Sequence, residues 1–156
     1  LQRMGLDPNH GVDKYFIDRA DKSPRQKIRE LEGVDFQIDL FMSMTDEEGE
    51  MYLLSTIKEV DKIRKQLNVI IDAWTDGDGE TIDKIMVSQG DETPELKAFN
   101  KRLLDDRNVG MGEKLLDWMK KNTSTKYFVV VGAAHMVGKT GLVKLLEKEG
   151  YTVTQK

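Results

Sequence analysis

Between Thr45 and Trp74 the apolar residues Leu53, Ile57, Val60, Ile63, Leu67, Ile70, Ile71 and Trp74 recur at intervals of three and four, with charged residues between them. That spacing lines one face of an α-helix, whereas a strand alternates its side chains at a period of two. "TDEE" at 45–48 fits a capping box, in which the first side chain receives a backbone N–H and the last reaches back to do the same. "TDGDG" at 75–79 breaks the helix. A long central helix therefore organises a chain of 156 residues, a length that suits one domain and hides roughly 68–70% of its unfolded surface.

On the N-terminal side, the turn cluster "DPNHG" at 7–11 precedes Val12, Phe16 and Ala20 at helical spacing, and Pro24 stops that helix. "KIREL" at 27–31 reads as a short strand, after which Gly33 leads into a helix with Val34, Ile38 and Phe41 on one face. Beyond the long helix come a short helix near 80–88 and another opened by "GDETP" at 90–94. The C-terminal third differs in character. "KYFVVVG" at 126–132 reads as a buried β run, a helix extends to about Lys148 with Gly150 as its cap, and "YTVT" at 151–154 reads as a second strand. Strand, helix and strand this close predict a right-handed parallel βαβ unit. The expected class is α/β, helix-rich, with a small mostly parallel sheet and a C-terminal βαβ unit.

Composition narrows the function. The net charge of −4, with charged residues of both signs making up 33% of the chain, offers no basic field for nucleic acid. With no cysteine there is no thiolate metal site and no thiol nucleophile. No apolar stretch approaches the roughly 20 residues of a membrane span, and the N-terminus has no signal-peptide shape. The chain does not begin with Met, so targeting or membrane-associating segments are expected to lie outside it.

"VVVGAAHMVGKTG" at 129–141 resembles a phosphate-binding loop because Gly138, Lys139 and Thr140 follow an apolar run. The spacing excludes that reading. The motif needs a glycine five positions before Gly138, where Ala133 stands, and Gly132 is one residue too far. A nucleotide is therefore not expected. His135, in the middle of the loop, is the stronger candidate: it falls between an apolar run and a helix, at the strand end where open α/β sheets bind ligands. Helix N–H groups there would favour a neutral imidazole, available as base or metal ligand. Gly132, Ala133 and Ala134 leave room for an approaching group. The alternative is that His135 merely fills the helix start.

Arg107 interrupts a stripe that runs through Leu96, Phe99 and Leu103 and continues with Gly110 or Met111, Leu115 and Trp118. A guanidinium on a buried face needs an anion, supplied by a structural carboxylate or by a substrate or active-site group. Glu32 poses the matching question for a carboxylate, as a helix-start acid or as a ligand or base. Gln37, on the edge of the following helix's apolar stripe, would support it. His10 lies in a turn and is expected to face solvent.

Taken in order, "GVDKYFIDRA" at 11–20, "LEGVDFQ" at 31–37, "DRN" at 106–108 and "VVVGAAHMVGKTGLVKLLEKEGYTV" at 129–153 resemble the TraB/GumN family, to which the Tiki and PrgY proteins are related. In that resemblance Gly132 and His135 are the fixed points of a late G-x-x-H motif, and "GKT" belongs to its tail. Gly33 stands where threonine is common. The family's first G-x-x-H is not matched, so the resemblance implies that residues 1–156 are the C-terminal portion of a TraB/GumN-like domain. It further implies a metal-dependent hydrolase acting on a peptide or protein. His135 and Glu32 would be metal ligands, Glu32 also a base, Arg107 an oxyanion stabiliser, and Gly132 part of the binding loop. Mn²⁺, Co²⁺ or Zn²⁺ would serve the full-length protein, with the isolated chain weakly binding and inactive. An extracytoplasmic or membrane-anchored location follows from the same resemblance. A non-catalytic peptide- or pheromone-binding module is the competing class.

Overall fold

The structure is a computed structural model that describes residues 5–87 and 93–156, apart from the side chains of residues 59, 61, 63 and 64. Its helices are α1 (Val12–Asp21), α2 (Val34–Met42), α3 (Asp46–Asp76), α4 (Gly79–Val87), α5 (Pro94–Asn100), α6 (Arg107–Lys121) and α7 (Leu142–Lys148). Short 3-10 turns occupy Pro8–His10 and Ala133–His135, and a π-helical stretch, Lys101–Asp106, joins α5 to α6. The expected end of α4 at residue 88, and residues 90–92 of the turn before α5, lie outside the described residues, as does the side chain of Ile63.

The central helix forms as its pattern requires. Thr45 Oγ1 accepts the Glu48 N–H at 3.2 Å and Glu48 accepts the Thr45 N–H at 3.1 Å, completing the capping box. Gly77 ends the helix at φ 72°, a left-handed conformation that glycine adopts without a Cβ clash. Glu48 also receives Arg102 Nη2 on both oxygens, at 2.9 and 2.8 Å, which ties the start of α3 to the π stretch.

The packed centre lies between the start of α3, the α3–α4 corner, and the α5–α6–α7 run. Ala73 and Ile82 are buried at the corner, and Leu96, Phe99, Met111, Leu115 and Leu142 along the run. Phe99, fully buried, meets the Tyr52 and Phe41 rings at centroid distances of 5.3 and 6.0 Å. On α6 the buried positions are Asn108, Met111, Gly112 and Leu115, a helical stripe that settles the choice between Gly110 and Met111. A Cβ added to Gly112 would sit 3.0 Å from Leu145 Cδ1, so glycine is what lets α7 lie this close to α6.

The expected class is corrected here: the fold is helical, not α/β, and no strand, parallel sheet or βαβ unit is present among the described residues. Residues 27–31, 126–132 and 151–154, read as strands, are neither helical nor paired. Strand-prone residues express their preference only on a pleated surface with a neighbouring strand to receive them. Parts of the first two segments instead lie against helices through individual contacts. Tyr127 stacks on Trp118 at 6.3 Å and its hydroxyl donates to the Trp118 carbonyl at 3.0 Å. Phe128 touches Phe16 at 4.6 Å, yet it remains 72% exposed, and Val129 and Val130 are also exposed rather than buried.

Candidate functional site

Residues 29–32 are held along one face of α6. Arg107, Lys114 and Trp118 recur there at intervals of seven and four, so they project in one direction. Lys114 Nζ donates to the Leu31 carbonyl at 3.1 Å, and the Arg29 guanidinium stacks over the Trp118 ring at 5.4 Å. Arg107 completes the clamp. Its Nε donates to Glu32 Oε1 and Oε2 at 3.1 and 3.0 Å, and its Nη2 to Oε2 at 2.7 Å. Nη1 donates to the Leu103 carbonyl in the π stretch at 3.1 Å. The pair is largely sheltered, with side-chain exposures of 15% for Arg107 and 11% for Glu32. A fork-to-carboxylate geometry of this kind fixes both orientations as well as charge. One hydrogen on each of Nη1 and Nη2 has no acceptor among the described residues.

The next residue turns the other way. Asn108 is fully buried, and its Oδ1 lies 2.7 Å from His135 Nδ1. His135 closes the 3-10 turn, with its N–H donated to the Gly132 carbonyl at 2.9 Å. Burial holds the imidazole pKa below its ordinary value of 6.5, the Arg107 charge pushes it the same way, and Glu32 partly opposes them. The ring is therefore neutral at pH 7. The expected cause was the N-terminus of a following helix, but α7 begins only at Leu142. Desolvation and the neighbouring cation account for the neutrality instead.

The remainder of the loop is structural. Thr140 Oγ1 donates to Asp105 Oδ1 at 2.6 Å, Gly138 takes φ 77°, and a Cβ at Gly141 would collide with the carbonyls of Met136 and Val137. The glycines of "GKTG" thus fold the loop onto the π stretch and α4. Gly132 differs, since a Cβ there would meet only His135 Cδ2, at 3.6 Å. A cavity of about 930 Å³ opens on α4, this loop and the C-terminal residues, bordered by Trp74, Ile82, Val137, Lys139, Val143 and Val153. None of Glu32, Arg107, Asn108 and His135 lines it.

Glu32, Arg107 and His135, far apart in sequence, are thus brought into one electrostatically coupled cluster. Gln37 is exposed on α2 and takes no part, and His10 is exposed in its turn beside Asp7. Asn108 is the residue that reasoning from sequence passed over. Its signal was present in "DRN": if Arg107 lies on the edge of the buried stripe, the next position falls inside it. Among the described residues no group of three His, Cys, Asp or Glu side chains is placed to hold a metal ion.

A family model described as TraB/PrgY/gumN matches residues 1–155. No curated relative and no solved structure matches the chain.

Proposed function

The chain belongs to the TraB/PrgY/gumN family, and from that premise we propose that it carries the His135 part of a hydrolytic site for peptide or protein substrates. The supporting observation is the convergence of Glu32, Arg107, Asn108 and His135 around an imidazole kept neutral. A neutral imidazole with an available lone pair serves as a general base or as a metal ligand.

His135 fits a divalent ion as a single ligand. Its Nδ1 is held by an amide oxygen, the kind of second contact that orients ligating histidines, and Nε2 has no partner among the described residues. Glu32 fits less well, because both oxygens accept from Arg107 and metal ligation would compete with that pair. In this proposal Glu32 anchors Arg107 rather than binding metal, and the uncommitted Arg107 N–H groups face developing negative charge. A bound Mn²⁺, Co²⁺ or Zn²⁺ would supply an acidified water and a polarised carbonyl. Its other ligands would come from outside the described residues. Calorimetry with each ion, and cleavage of a mixed peptide library, test the proposal on the full-length protein and its His135→Ala variant. Loss of both binding and cleavage is expected; cleavage unchanged by the substitution and by chelation defeats it.

One observation favours the second reading, capture of a peptide without cleavage. The cavity of about 930 Å³ is largely apolar and is lined by none of the four cluster residues, and its size suits a ligand pocket. Peptide binding that survives His135→Ala without cleavage would support this alternative.

A further inference from the structure

We propose that Asn108 is a positioning residue that holds His135 as the Nδ1–H tautomer, so that the Nε2 lone pair is what the site presents. The proposal rests on His135 being the reactive group of the site. Its basis is the contact itself. A carbonyl oxygen only accepts, so Oδ1 at 2.7 Å from Nδ1 requires the hydrogen on Nδ1. The opposite arrangement, with the amide rotated and Nδ2 donating to a bare Nδ1, would force the hydrogen onto Nε2. A separation of 2.7 Å stands at the short end of N–H···O bonds and is tighter than an N–H···N contact normally takes.

Asn108 is suited to this task by its placement. It is fully buried on α6, one turn before Met111 and Gly112, where α7 packs against the helix. Its amide therefore has little freedom to swing and no competing water. It also orients the ring without charging it. A carboxylate at position 108 would give the imidazole an anionic partner and raise its pKa, against the combined effect of burial and Arg107. Asn108 Nδ2 is buried without a hydrogen-bond partner among the described residues. Such a donor is costly to leave unpaired.

Long-range proton–nitrogen NMR of the ¹⁵N-histidine-labelled chain reads the tautomer directly, with His10→Gln assigning the two rings. Above the His135 titration, the expected spectrum has a protonated Nδ1 and an unprotonated Nε2. Asn108→Ala is expected to abolish that selection. Asn108→Asp is expected to retain it and move the His135 pKa upward. A wild-type spectrum showing Nε2–H, or an even mixture, overturns the proposal, as does an Nδ1–H pattern that survives in folded Asn108→Ala. The wild-type spectrum requires no variant to fold. It also requires neither metal nor substrate, so failure of the hydrolytic reading and failure of this proposal are separately visible.

Discussion

The run from α5 through α7 is poorer in apolar residues than the helices α1 and α2, yet it is the run that buries them. On the first, Phe99, Met111, Leu115 and Leu142 are buried and glycine permits close helix contact. On the second, Val12, Tyr15, Ile17, Val34, Phe36, Ile38 and Met42 are exposed, as are Leu53, Ile57 and Val60 on the adjoining part of α3. The total accessible surface, 12040 Å², exceeds the roughly 8,000 Å² of a compact monomer of this size. Amphipathic pattern alone therefore makes a helix but does not bury it; burial follows where several elements converge. The candidate site belongs to the packed region, and the Glu32–Arg107 pair is one of the contacts that fasten the open region to it.

The widest separation between the regions is expected in their response to truncation. Phe99→Ala should cost about 3–5 kcal/mol, the usual range for deleting a buried aromatic. Phe36→Ala, on an exposed face of α2, should cost less than about 0.5 kcal/mol. Urea unfolding of the two variants compares them directly, and similar costs would show that α2 is covered in solution.

Next in size is the fastening itself. Glu32→Gln leaves the Arg107 charge without its anion, and about 2–3 kcal/mol is expected, below the cost for full burial because both side chains keep some exposure. The exposed Lys14–Asp18 pair on α1, with side chains about half exposed, should be worth under about 0.5 kcal/mol. Double-mutant cycles by denaturation give both coupling energies. Equal values would remove the distinction between a sheltered clamp and a surface ion pair.

The smallest pair involves glycine. Gly112→Ala must displace Leu145 at 3.0 Å and should destabilise by about 1 kcal/mol. Gly49→Ala, inside α3 with open space around it, should stabilise by about 0.5–1 kcal/mol. Thermal unfolding that moves both variants in one direction would contradict the packing difference.

The same contrast explains what was legible in the sequence. Helix periodicity and caps are local properties, so the Thr45–Glu48 box and the stop at Gly77 could be read directly. The Arg107–Glu32 pairing was legible as a need, since a guanidinium on an apolar stripe demands an anion. Residues 126–132 were misread because a β-prone run does not reveal whether a partner strand exists. Asn108 was missed because the π stretch departs from α-helical spacing just before it, between Leu103 and Arg107. The stripe extrapolated at α-helical spacing passed through Arg107 and not Asn108, while the structure buries Asn108.

The most direct test of a coupled cluster is the NMR titration of His135 in the folded chain, in the urea-unfolded chain and in Arg107→Gln. A depressed folded pKa means that protonation favours the unfolded state. The stability contribution of His135 is then present above its unfolded value, near 6.5, and is lost as pH falls through the folded value. Burial and Arg107 lower the pKa while Glu32 raises it, so the account predicts a folded midpoint below 6.5 that moves upward in Arg107→Gln. A wild-type midpoint at or above the unfolded value, or one that Arg107→Gln leaves in place in a folded protein, would contradict it.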